Sequence, residues 1–209
     1  MCRTMRRILK DEIQVVVFDF RGVRRHLRSW LDTMPHVKRA SDICPEDKGA
    51  MYLLAMRRNI VAKWFLEKSS LPWLLMINDN VIPLESVDEL LACEADVAGA
   101  HFFSRRGGEG HDVDGSVATA CVKISRRAFE RIPPPYFRYE YNDDHTERLQ
   151  CECGWFCKQA IAAGFYPVKA GVVAHMIEVA LIPPTESGGQ CKMKFLQDIP
   201  LATDEVNNG

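Results

Sequence analysis

Ile13-Gln14-Val15-Val16-Val17-Phe18-Asp19-Phe20, followed by Arg21-Gly22, is the stretch on which the reading of the fold turns. β-Branched and aromatic residues fill it, and these side chains suit the pleated, packed surface of a strand. Arg21-Gly22 breaks the run, and residues 23–34 then read as a helix stopped by Pro35. Strand, turn and helix in that order form the unit of an α/β fold with a largely parallel sheet.

The unit recurs outward along the chain. Residues 37–43 carry a short, weakly marked strand, and a helix is predicted from Pro45 to Lys68 with Leu53, Leu54, Ile60, Val61, Trp64 and Phe65 on one stripe. Leu71-Pro72 ends it, and Trp73-Leu74-Leu75-Met76-Ile77 is the continuous apolar run of a central parallel strand. Ser86-Val87-Asp88-Glu89 reads as a capping box opening a helix over 87–93, with a strand over 97–103 behind it. Residues 104–116 hold four glycines with His111, Asp112 and Asp114, the composition of a mobile loop that covers a site. Beyond it the pattern predicts a strand over 117–124, a helix to Arg131 capped by Ser125, and an extended Pro133-Pro134-Pro135. A helix over 152–163 closed by Gly164, a last strand over 168–175 and an irregular tail from Pro183 complete it.

The chain has 209 residues, 47% of them hydrophobic and 26% charged, which fits one globular domain and excludes a disordered or fibrous chain. A net charge of −1 lacks the basic excess of a non-specific nucleic-acid binder. No apolar run reaches the length of a membrane span, and the basic N-terminus enters Asp11-Glu12 without an apolar stretch, so a cytoplasmic location is expected. In that compartment the eight cysteines are expected as reduced thiols.

Ligands of open α/β sheets bind beyond the carboxyl ends of the strands. There the strand at Trp73 ends in Asn78-Asp79-Asn80, three consecutive oxygen acceptors able to meet a hard cation or a ribose hydroxyl, or to form the turn before Pro83. Cys151, Cys153 and Cys157 present three thiols within seven residues, a zinc pattern by composition. Yet Cys153, Phe156, Cys157 and Ala160 share helical spacing, which predicts the buried face of a helix. Arg57 and Arg58 lie on the long helix and either snorkel or pair with phosphate.

Several of these stretches together resemble the GT-A-fold glycosyltransferases. Arg58-Asn59-Ile60-Val61 and Trp73 through Pro83 are similar to the nucleotide-sugar-binding half; residues 97–100, 117–130 and 135–137 are similar to the acceptor side. Cys151-Glu152-Cys153 stands where the family has a Glu-Asp pair opening a helix, and His175 ends the final strand. The resemblance implies a single-domain GT-A-like, Rossmann-like α/β fold with a mixed, mainly parallel sheet flanked by helices. Its domain is expected over 1–182, with the donor half at 13–103 and the acceptor half at 104–182, followed by a tail at 183–209.

The same resemblance implies transfer of a sugar from a UDP- or GDP-sugar donor to an acceptor hydroxyl. Arg21, Arg58, Asn59, Asn78 and Asp79 would bind the nucleotide-sugar. Asp79, Asn80 and His175 would hold a divalent cation, Mn2+ or Mg2+, weakly, because Asn78 and Asn80 replace the flanking aspartates of the family's Asp-x-Asp element. With Cys153 at the position of the usual aspartate, Glu152 becomes the expected base and Asp144 its reserve. The alternatives are a non-catalytic nucleotide- or glycan-binding member, motivated by those replacements, and a zinc- or thiol-based regulatory module.

Overall fold

The structure is a computed structural model, and it describes residues 9–19, 23, 25–44, 54–84, 86–101, 116–175, 179–182 and 192–195. Residues 104–115 of the loop expected over 104–116, the start of the long helix over 45–53 and most of the tail lie outside these residues. Two compact units, 1–175 and 176–209, divide the chain.

The first unit is built on a seven-stranded sheet. Its strands are β1 (Ile13–Phe18), β2 (Val37–Arg39), β3 (Trp73–Asn78), β4 (Val81–Pro83), β5 (Val97–His101), β6 (Cys121–Ser125) and β9 (Val168–His175), in the spatial order β2-β1-β3-β6-β5-β9-β4. β1 pairs in parallel with β2 and β3, and β5 with β9, whereas β6 runs antiparallel to β3 and β5, and β4 antiparallel to β9. Five strands thus point one way and two oppose them, a mixed sheet. A short hairpin of β7 (Glu140–Tyr141) and β8 (Arg148–Gln150) lies apart from it. The second unit contains the antiparallel pair β10 (Val179–Ile182) and β11 (Lys192–Phe195).

All six residues of β1 are buried, and successive side chains go to opposite faces. Val16 and Phe18 join a core with α2 (Ala40–Ile43), α3 (Leu54–Lys68), α5 (Arg126–Arg131) and α6 (Glu152–Ala162). Ile13, Val15 and Val17 join the other core, with α1 (Arg25–Leu31) and α4 (Val87–Ala92). A sheet between two helical layers follows, and each fully buried Val, Ile or Phe contributes about 1.5–3 kcal/mol. Arg126 tightens the frame by donating to the carbonyls of Phe65, Leu66, Ser69 and Leu71, at the end of α3 where helix carbonyls lack partners.

Three local expectations change. Residues 40–43 are helical because Asp42 accepts from the Arg39 N–H and Asp19 from the Ser41 N–H, capping a turn of helix within the expected strand. Residues 117–120 are not strand: the Val117 N–H donates to Cys157 Sγ at 3.3 Å, so β6 begins only at Cys121. Ser86 forms no capping box, since its backbone is helical and its hydroxyl bonds the N–H and C=O of Val172 on β9. β9 approaches there at Gly171, with φ +67 and an ideal Cβ only 2.4 Å from the Ser86 carbonyl oxygen. Ser125 does cap α5, accepting from Ala128 N–H at 3.0 Å, and Gly164 closes α6 at φ +86.

Candidate functional site

The parallel strands β1 and β3 run side by side with Phe18 opposite Asn78, so their carboxyl ends place Asp19 and Asn78-Asp79-Asn80 at one edge of the sheet. The Asp79 N–H donates to the Phe18 carbonyl at 3.2 Å, and the Asn78 N–H to the Ala120 carbonyl at 2.9 Å. Above this edge α3 delivers Arg57, Arg58 and Asn59, and α6 delivers Glu152 from its first turn.

Arg58 gathers these elements. Its side chain is 1% exposed, and Nη1 donates to Glu152 Oε1 at 2.5 Å across 94 residues of sequence. Nη2 donates to Asn78 Oδ1 at 3.1 Å and to the Thr119 carbonyl at 2.8 Å. The guanidinium carbon lies 5.3 Å from the centre of the Phe18 ring and 6.0 Å from that of Phe137. Burial lowers the Arg58 pKa, against the opposing pull of Glu152. The carboxylate also receives the Thr119 hydroxyl at 3.4 Å. Burial first, and Glu152 second, raise the pKa of the nearby Tyr139, so the phenol stays protonated at neutral pH.

The other expected residues divide. Asn59 does not face this cluster's oxygens; its carboxamide donates to the Ala55 and Phe137 carbonyls and accepts from the Phe137 N–H, fixing the segment before Tyr139. Asp144 is not brought to Glu152. It is fully exposed in the turn between β7 and β8, at the end of the hairpin away from α6, and accepts from the Thr146 N–H and hydroxyl, which lower its pKa. Arg21 lies outside the described residues. His175 is placed by its backbone, paired with Val81 in the β4–β9 ladder, so the end of β9 meets the chain directly after Asn80. Asp79 is buried, and Asn80 Oδ1 is a buried oxygen with no hydrogen-bond partner among the described residues.

Asp19, Thr119 and Tyr139 were not anticipated. Asp19 accepts from the Ser41 N–H and hydroxyl and stands 3.9 Å from Arg57. Its signal was available, since it is the first acidic residue of the segment leaving β1, at the carboxyl edge where ligands bind. Thr119 and Tyr139 carry no spacing that marks them.

The cysteines of α6 follow helical burial: Cys153, Phe156, Cys157 and Ala160 are all buried. Cys151 is the N-cap, its sulfur accepting from the Gly154 N–H at 3.4 Å. Its hydrogen bond with Cys153, then burial, raises the Cys153 pKa, and burial pushes the Cys157 thiol up to about 11. Both thiols are therefore protonated and weakly nucleophilic at neutral pH. The Cys151, Glu152 and Cys153 ligand atoms lie within 4.8 Å of one another, close enough to share a soft metal.

No family model matches the sequence, and no curated protein matches it. Among solved structures the chain is similar to the crystal structure of A197 from STIV, with a TM-score of 0.56 and 15% identity over 93% of this chain and 98% of that one. The likeness is one of fold, a mixed α/β sheet with flanking helices.

Proposed function

We propose that the protein is a GT-A-like glycosyltransferase that moves a sugar from a nucleotide-sugar to an acceptor hydroxyl. The observation that carries this reading is the cluster of buried Arg58 and Glu152 with half-buried Asn78 at the carboxyl edge of β1 and β3, where open α/β sheets bind ligands. Glu152 takes the acceptor proton as the hydroxyl oxygen bonds to the anomeric carbon; the bond from that carbon to the diphosphate breaks and the nucleoside diphosphate leaves. Arg58 and Thr119 orient the carboxylate for that transfer.

A divalent cation fits the neighbouring turn, because the buried Asn80 Oδ1 lacks a partner and Asp79 supplies a carboxylate beside it. Asp79, Asn80 and His175 would hold it, and when bound it neutralises charge on the diphosphate. One observation favours the non-catalytic reading: Glu152 is already committed to Arg58, as the anchor of a binding scaffold would be.

Thermal-shift titration with UDP and GDP, with and without manganese, tests the donor site. One nucleotide should raise Tm at millimolar concentration, by the mass action of a ligand that binds only the native state. No shift with either nucleotide would remove the donor-site assignment.

A further inference from the structure

The first turn of α6 brings three metal-binding side chains together. Cys151 Sγ, a Glu152 carboxylate oxygen and Cys153 Sγ lie within 4.8 Å of one another, and among the described residues no other group of three His, Cys, Asp or Glu side chains is close enough to hold an ion. Bonds of about 2.0–2.3 Å from one zinc ion cover most of that separation, so small side-chain rotations close the set. The sequence grouped Cys151, Cys153 and Cys157, but the fold engages Cys157 elsewhere: its sulfur accepts from the Val117 N–H at 3.3 Å and donates to the Val117 carbonyl at 3.7 Å. Cys151 instead stands at the N-cap with extended backbone, φ −79 and ψ 165, which turns its sulfur back over the helix to the Gly154 N–H and to the side chains at 152 and 153.

Metal ligands are ordinarily held by hydrogen bonds from an outer shell, and these ligands have one. Arg58 Nη1 at 2.5 Å and the Thr119 hydroxyl at 3.4 Å both bond Glu152 Oε1, so neither contests Oε2. The Gly154 N–H supports the Cys151 sulfur at 3.4 Å. Gln150, the residue before Cys151, packs its carboxamide on the same turn, where a Cβ added to Gly154 would lie 2.7 Å from Nε2. Its Oε1 is buried with no hydrogen-bond partner among the described residues, an orphan acceptor of the kind that a water on an ion's fourth position satisfies. Charge selects the ion. Two thiolates and a carboxylate carry three negative charges; the enclosed Arg58 guanidinium offsets one, and a dication the other two. Thiolates favour zinc over magnesium or manganese, and half-buried Cys151 leaves an entry path.

We propose that Cys151, Glu152 and Cys153 bind one zinc ion, with a water in the fourth position bonded to Gln150. Binding forms two zinc–sulfur bonds and one zinc–oxygen bond, and the two thiol protons leave to solvent. Glu152 is then a ligand and not a free base, so the zinc-bound protein is a resting form. That consequence rests on the glycosyltransferase reading; the site does not.

The test adds cobalt(II), a zinc stand-in whose bonds to thiolate absorb in the near ultraviolet, to the reduced, metal-free chain and then displaces it with zinc. One cobalt per chain with that band, lost on adding one equivalent of zinc, is expected. Cys151→Ser keeps a capping oxygen at the start of α6, so its melting temperature should stay near that of the parent while cobalt and zinc affinity fall about tenfold or more. Cys93→Ser, at the C-terminal end of α4, should leave both affinities unchanged. In the parent, stoichiometric zinc should shield Cys151 from N-ethylmaleimide, as located by peptide mass. An ion on Asp79, Asn80 and His175 gives no thiolate band and is thereby distinguished. No thiolate band, an undiminished band and affinity in Cys151→Ser, or labelling of Cys151 indifferent to zinc would overturn the site, whatever release of nucleoside diphosphate the chain shows.

Discussion

Glu152→Gln isolates the charge at the centre of the candidate site while keeping its shape. Arg58 is almost fully enclosed, held between the Phe18 and Phe137 rings with its nitrogens on Glu152, Asn78 and the Thr119 carbonyl, so it cannot swing into water when its partner is neutralised. Removing one partner of a buried ion pair costs about 3–5 kcal/mol, because the remaining charge is left uncompensated in a medium of low polarity. The glutamine oxygen still accepts one hydrogen bond, which places this substitution at the lower end, about 3 kcal/mol. For a domain of this size that is a fall in Tm of about 6–12 °C. Arg58→Met in the Glu152→Gln background removes the stranded cation and should recover more than half of the loss. Urea unfolding at pH 7, followed by tryptophan fluorescence, measures all three stabilities. A loss below about 0.5 kcal/mol for Glu152→Gln, the level of an exposed pair, would refute the argument.

Two further outcomes are expected. Lys123 is buried on β6, with its ammonium on the Leu91 and Cys93 carbonyls and over the Trp73 ring, and burial pushes its pKa down to about 8. Below pH 8 the amine is charged in both states; between pH 8 and 10.5 the native amine is neutral while the unfolded one keeps its proton, so stability rises with pH in that window. The stability of the parent relative to Lys123→Met should therefore grow by about 3 kcal/mol across it, and a flat difference in urea titrations would contradict the burial of this amine. At the turn after β3, Asn80→Asp adds a carboxylate beside Asp79 and should tighten manganese binding about tenfold by calorimetry, while His175→Ala should weaken it. Equal affinities in all three proteins would remove these residues as ligands.

The strands that could be read directly are those whose side chains announce burial. β1 is apolar but for Gln14, and β3 runs apolar from Trp73 to Ile77, so both pack on two faces of the sheet. α5 and α6 were legible from their ends, where Ser125 and Gly164 act through local geometry alone. Local signals failed where a distant partner outbid them. Ser86 has the spacing of a capping box, yet Val172, 86 residues away, takes its hydroxyl. Val117 has the chemistry of a strand residue, but the Cys157 sulfur holds its N–H. At the site, the prominence of Arg58, Asn78 and Glu152 was visible from the sequence, whereas the ion pair joining Arg58 to Glu152 was not. Nothing local predicts a bond across 94 residues, so an arginine expected to meet a phosphate is found inside the protein beside a carboxylate. Asp144 shows the reverse: a carboxylate of suitable chemistry hydrogen-bonds within its own turn through Thr146.

The central claim is sugar transfer with Glu152 as the base, and the measurement that meets it most directly is release of nucleoside diphosphate from a panel of UDP- and GDP-sugars, with manganese and a mixed set of hydroxyl acceptors. The account predicts turnover with at least one donor. It also predicts a loss of about 10²-fold or more in Glu152→Gln, assayed below its melting temperature, with donor affinity nearly unchanged. Absence of turnover with every donor, or full turnover in Glu152→Gln, would contradict it.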